Sequence, residues 1–262
     1  MINGKQPIRQ YPEPAFWRAP VDNDFGNKMP TLAGVWRTAH VNRYVKKVTI
    51  GEKNEKGLSV RVDWVLSDIQ VPYMMEYLIR DNGTIIVTGS IDLTGTKLPE
   101  LPRFGMRMEL HQPYENLTYY GRGPLENYID RYSSSFIGRY ENKVENQFYW
   151  YIRPQETGNK TDVRWLTLLD SEGQGVRITG LQPVAFSALH FSPEDLDPGL
   201  TRKLQHTIDI VPQKNIFLHV DLRQRGLGGD NSWGMYPHNE YRLLDKKYTY
   251  SYMIELVEKG SD

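Results

Sequence analysis

Leu58-Ser59-Val60-Arg61-Val62-Asp63-Trp64-Val65 alternates apolar and polar side chains with a period of two. That is the period of a strand with one face buried and one face wet. Just downstream, Tyr77-Leu78-Ile79-Arg80 and Thr84-Ile85-Ile86-Val87 flank Asn82-Gly83, and the second run continues into Ser90-Ile91-Asp92-Leu93. Asn-Gly between two such runs predicts a tight hairpin. Similar runs occupy Val163–Leu169, Val176–Thr179, Thr207–Val211, Phe217–Asp221 and Tyr248–Leu256, separated by turn-forming segments such as Ser171-Glu172-Gly173 and Pro212-Gln213-Lys214-Asn215. Many short strands at this spacing predict an all-β fold, a sandwich of antiparallel sheets.

Helical signals are few. Leu32, Val35, Trp36 and Ala39 follow a helical spacing after Thr31, a candidate cap. Ser192-Pro193-Glu194-Asp195 reads as a cap, a proline at the first helical position and acids on the helix dipole. Gly123 to Tyr128 reads as one further turn of helix. Three short helices do not supply the eight crossovers of a β/α barrel.

The 262 residues are 39% hydrophobic and 24% charged, which is globular composition. Lys plus Arg and Asp plus Glu are both 32, so the chain lacks the positive field that nucleic acid or an anionic membrane surface requires. No apolar stretch approaches the roughly 20 residues of a membrane span, and Met1 to Pro7 holds no apolar signal core. Cysteine is absent, which removes disulfides, thiol catalysis and Cys-ligated metals. None of this selects a compartment. Residues 1–15, with Pro7, Pro12 and Pro14, read as an extended lead-in or a linker from a preceding domain. One β domain is expected over 16–258, followed by a tail over 259–262.

Three segments concentrate polar, glycine and aromatic residues. In Phe16-Trp17-Arg18-Ala19-Pro20-Val21-Asp22-Asn23-Asp24 the two acids suit a hard cation, but the other oxygens of a calcium loop are missing, and Asx turn capping is the simpler reading. Tyr120 to Arg131 carries Glu126 and Asp130, four apart, so that one helical face would present both for acid–base work. Arg122 and Arg131 flank them, which favours a carboxylate–guanidinium network instead. Gly226-Leu227-Gly228-Gly229-Asp230-Asn231 lacks the third glycine of a dinucleotide fingerprint. It is better suited to presenting Trp233 on a loop, where an indole face packs against the C–H groups of a sugar ring; the competing reading folds Trp233 back into a small core. The six histidines form no zinc-binding spacing, and no metal site is assigned.

Taken in order, Phe16 to Asp24, Tyr120 to Arg131, Phe186 to Glu194 and Gly228-Gly229-Asp230-Asn231-Ser232-Trp233 resemble the C-terminal, small-chain domain of lacZ-type β-galactosidases of glycoside hydrolase family 2. The resemblance spans Phe16 to Glu255. It implies a two-sheet β-supersandwich similar to galactose mutarotases, and a role as the last domain or small subunit of an enzyme that hydrolyses terminal β-D-galactosides with retention. It places both catalytic carboxylates and the magnesium on a TIM barrel outside this chain, so no catalytic residue and no cofactor fall here. It makes Trp233 the substrate-binding residue, leaves an apolar patch where the barrel docks, and implies a homo-oligomeric full enzyme. Where relatives commonly carry Asp-Asp after the glycines, this chain carries Asp230-Asn231. The rival readings are a free-standing carbohydrate-binding module and an aldose epimerase-like enzyme; the latter needs a positioned His and Glu, and none of the six histidines aligns with that role.

Overall fold

The computed structural model describes residues 6–197, 199–200, 205–231 and 233–258. The expected tail and the first five residues of the lead-in lie outside them. Among the described residues the chain forms twelve strands, all paired antiparallel. They are β1 (Ile8–Ala15), β2 (Arg43–Ile50), β3 (Leu58–Leu66), β4 (Val71–Ile79), β5 (Ile85–Asp92), β6 (Arg103–Leu110), β7 (Asn116–Gly123), β8 (Phe136–Lys143), β9 (Lys160–Leu169), β10 (Gly175–Leu189), β11 (Ile216–Gln224) and β12 (Lys247–Val257). The alternating run that opened the sequence reading is β3, and Asn82-Gly83 turns β4 into β5 with Gly83 at φ 83°.

Strand β10 organises the sheet. Its first half, Gly175–Gly180, pairs with β12, and its second half, Ala185–Leu189, pairs with β11. Two limbs leave it, β12-β5-β4-β3-β2 and β11-β6-β1, while β9 and then β7 and β8 extend its other edge. The limbs face each other across an aromatic core. Phe104 of β6 lies 5.3 Å from the Tyr248 ring and 5.7 Å from the Tyr250 ring of β12, and 6.4 Å from Tyr73 of β4. The Tyr250 hydroxyl donates to the Val220 carbonyl of β11 at 2.8 Å, which ties one limb to the other. Residues 8–15, read from sequence as a lead-in, are extended but belong to this sheet: β1 pairs with β6 from Ile8 to Ala15.

Three local expectations are corrected. Thr207–Val211 is not a strand; Thr207–Asp209 is a 3₁₀ turn, because the Asp209 carboxylate accepts from the His206 amide at 2.8 Å and closes the chain on itself. The helix expected along Leu32 to Ala39 is broken at Gly34 into α2 (Met29–Leu32) and a 3₁₀ turn over Gly34–Trp36, so Trp36 and Ala39 are buried while Leu32 and Val35 are exposed. No helix forms at Gly123 to Tyr128. Asn127 competes for the backbone there, donating to the carbonyls of Arg122 and Leu125 and accepting from the Thr161 amide and hydroxyl. The Ser192 cap is as read: its hydroxyl accepts from Asp195 N at the start of α3 (Pro193–Leu196).

Beneath the surface where β6 and β11 meet lies a row of buried polar groups. Arg103 reaches Glu156 at 2.9 Å, Asp221 at 3.2 Å and His219 at 3.0 Å. Burial pushes the Asp221 carboxyl up to about 7, against the opposing pull of Arg103. A raised carboxyl binds its proton more tightly in the folded chain, so its contribution to stability falls as pH rises from about 4 towards 7. Urea denaturation across that window is therefore predicted to show wild type losing stability relative to Asp221→Asn, with a constant difference contradicting the assignment. In the aromatic core, Phe104→Ala is predicted to cost about 3–5 kcal/mol in the same measurement, and a cost under about 1 kcal/mol would show that the limbs do not depend on it.

Candidate functional site

The three conspicuous sequence segments, distant along the chain, meet at one end of the sandwich. The first leaves β1 through Arg18 and enters the short helix α1 (Asp22–Gly26). Asp24 in that helix is fully buried and receives two guanidinium groups. Arg18 Nη2 donates to both of its oxygens at 2.9 and 3.0 Å, and Arg225 Nη1 donates to Oδ1 at 3.0 Å. The same carboxylate accepts the Val21 amide at 3.0 Å and so caps its own helix. Arg18 also donates to the carbonyls of Arg225 and Gly226. Burial weakens the Arg18 charge, yet Asp24 beside it prevails and raises its pKa. The capping read from sequence is thus present for Asp24, but the larger role, an ion-paired anchor, is not visible without Arg225. That residue stands directly before the glycine loop, and its only sequence signal is position. Asp22 is exposed and accepts from Arg153.

Glu126 and Asp130 share no helical face. Glu126 accepts from the Gly158 amide at 2.8 Å, the Thr157 hydroxyl at 3.1 Å, Arg131 at 2.6 Å and the Tyr151 hydroxyl. Asp130 turns the other way and accepts the Leu227 amide at 2.7 Å and the Gly228 amide at 3.0 Å. A side chain on Gly226 would place its Cβ 2.8 Å from that carboxylate, which accounts for glycine there. Both acids are held by donors, as the network reading anticipates for Arg131. Arg122 departs from it: its partner is Asp162.

The glycine segment opens a loop whose neck is closed by the Gly226 amide on the Tyr241 carbonyl at 2.7 Å. Arg18 and Asp130 pin its first strand. Across the loop, His238 Nε2 donates to Asp230 Oδ1 at 2.7 Å, and Asp230 raises the His238 pKa. Asn231 Oδ1 accepts the Trp233 amide at 2.9 Å and lies 3.4 Å from the Met235 amide. Gly234 has φ 104°, a conformation a side chain would strain, and its backbone sits against Gly26 of α1. Trp233 at the tip is 87% exposed. It is not folded into a satellite core.

Loop, helix and the 130–131 turn together wall a cleft of about 540 Å³, lined by Asp22, Asp130, Tyr151, Glu156, Asp230 and His238 among others. Trp233 stands outside this lining. Glu156 is bonded to Arg103 and to Gln224, so the cleft's buried carboxylates are bound to fixed donors. The arrangement suits polar recognition and presentation of an indole face. Among the described residues no group of three or more His, Asp or Glu side chains converges as a metal ion would need.

Comparison with known proteins agrees with the resemblance. The family model described as beta galactosidase small chain matches residues 1–254. A β-galactosidase from Priestia megaterium is 34% identical over 243 residues, covering 92% of this chain and 23% of that protein. One from Streptococcus thermophilus is 34% identical over 260 residues, covering 97% of this chain and 24% of that protein. The chain therefore spans about a quarter of the length of these relatives. Among solved structures, a galactose mutarotase related enzyme from Lactobacillus acidophilus aligns over 82% of this chain and 73% of its own with TM-score 0.41 at 6% identity. With its motifs gathered at one cleft and the family match running over nearly its whole length, this chain belongs to the β-galactosidase small-chain family.

Proposed function

We propose that this chain is the C-terminal part of a β-galactosidase that hydrolyses terminal β-D-galactosides with retention, and that it supplies Trp233 as a substrate-stacking wall of the active site. The observation that carries the reading is Trp233 itself: a large aromatic, 87% exposed, on a loop pinned by buried ionic groups. An exposed indole on a loop anchored at its base is suited to binding. The nucleophile and the proton donor belong to a TIM barrel outside this chain, consistent with the relatives being about four times longer. The magnesium of such enzymes belongs to that barrel as well.

The surroundings of the cleft support a docked partner over a free-standing sugar-binding module. Tyr151 lines the cleft, and its neighbour Ile152 is 81% exposed. The Thr207 amide bonds the Ile152 carbonyl, which brings Ile208, 85% exposed, to the same place. Trp150 and Val211, close to them in sequence, are exposed as well. Two isoleucines left in water beside a polar cleft are what a removed neighbour would leave behind.

An aromatic–sugar stack of about 0.5–1.5 kcal/mol corresponds to a two- to tenfold change in binding, roughly. In the full enzyme, Trp233→Ala is predicted to raise KM for a chromogenic β-galactoside by about that factor while kcat falls less. A large fall in kcat with KM unchanged would count against uniform substrate binding. The purified chain alone, with magnesium supplied, is predicted to show no hydrolysis above buffer; turnover that copurifies with it would return attention to Glu126 and Asp130.

A further inference from the structure

We infer that His238 is a positioning residue for Trp233, acting through Asp230. The inference rests on the reading of Trp233 as a substrate contact and extends it to a residue with no role in that reading. The links are direct. His238 Nε2 donates to Asp230 Oδ1 at 2.7 Å across the loop, spanning eight residues. Asp230 is joined by one peptide bond to Asn231, whose side-chain oxygen accepts the Trp233 amide at 2.9 Å. Behind the imidazole, the Tyr241 ring lies 6.4 Å away at an interplanar angle of 23°, and the Tyr241 amide bonds the His238 carbonyl at 2.9 Å. The histidine is thereby held at the neck of the loop, with its donor aimed at the tip.

The neck needs this second tie. Asp130 and Arg18 hold only the first residues of the loop, Gly226 to Gly228. Beyond Gly228, the Gly229 backbone packs on Met235 and Tyr236 and the Gly234 backbone on Gly26, which leaves the exposed Asp230 between them to be held by its side chain. Among the described residues His238 is the hydrogen-bond partner of the Asp230 carboxylate. The Trp233 carbonyl and Gly234 rest on Gly26 of α1, so loss of His238 releases Asp230 and Asn231, and with Asn231 the bond that sets the Trp233 amide and the angle of the indole. His238 touches no reacting atom; its effect reaches substrate only through the indole.

The test uses the full galactosidase and steady-state hydrolysis of a chromogenic β-galactoside. His238→Ala is expected to raise KM about two- to fivefold, the worth of one exposed charge-assisted pair, with kcat changed less. His238→Gln keeps a nitrogen donor at a similar reach and is expected to restore KM. In a Trp233→Ala background the histidine substitution is expected to add nothing, because both act through one contact. A His238→Ala enzyme with unaltered KM, a KM effect that persists in full without Trp233, or a Gln variant as impaired as Ala would each overturn the inference. Amide hydrogen exchange separates it from the underlying reading. If Trp233→Ala leaves KM unchanged, the substrate contact fails, and the tie is then judged by whether His238→Ala speeds exchange of the Trp233 and Met235 amides; unchanged exchange would refute it.

Discussion

The Asp24 carboxylate, buried and shared by Arg18 and Arg225, is the interaction on which the functional end of this molecule depends. It joins three parts of the chain at one point: the exit from β1 and the end of β11, which both pair with β6, and the helix α1. Two guanidiniums on one acid would leave excess positive charge in a dry place, and Glu100 offsets it at 3.3 Å from Arg225 Nε. A pair buried this deeply is costly to assemble and more costly to break, since removal of one partner strands the other, at about 3–5 kcal/mol. The gain is placement. With Arg18 also holding the carbonyls of residues 225 and 226, the glycine loop starts from a fixed point.

From that point the division of labour follows. The cleft is rich in acids, yet Asp130 and Glu156 each accept two donors and the neighbouring Glu126 accepts four, and that environment suits scaffolding rather than proton transfer. The side chain left in water is the indole at the loop tip. On the proposed reading, such a surface is one wall of a site whose chemistry lies on another domain, with the exposed isoleucines beside the cleft as its contact surface.

Much of the fold was legible because half-buried antiparallel strands write their period into the sequence, as β3 does, and because Asn82-Gly83 admits few backbones. The strand-like run at Thr207 failed because local composition does not reveal that Asp209 closes a turn on His206. The helix at Gly123 failed because the competing hydrogen bonds of Asn127 come from Thr161, thirty-four residues on. At the site, an exposed Trp233 was one of the two placements that its glycine-bounded setting allowed, and it is the one observed. The partners of Asp24 and Asp130 were not readable, since Arg225 and the Leu227 amide reach them only through the three-dimensional pairing of β11 with β6 and β10.

A double-mutant cycle between Asp24 and Arg225, Asp24→Asn with Arg225→Met, followed by urea unfolding, addresses this arrangement most directly. If the shared carboxylate holds helix and loop together, the two losses will overlap, with a coupling of about 1.5–3 kcal/mol. Losses that add to within about 0.5 kcal/mol would mean that helix and loop are held independently, and that the anchor described for the Trp233 loop does not exist.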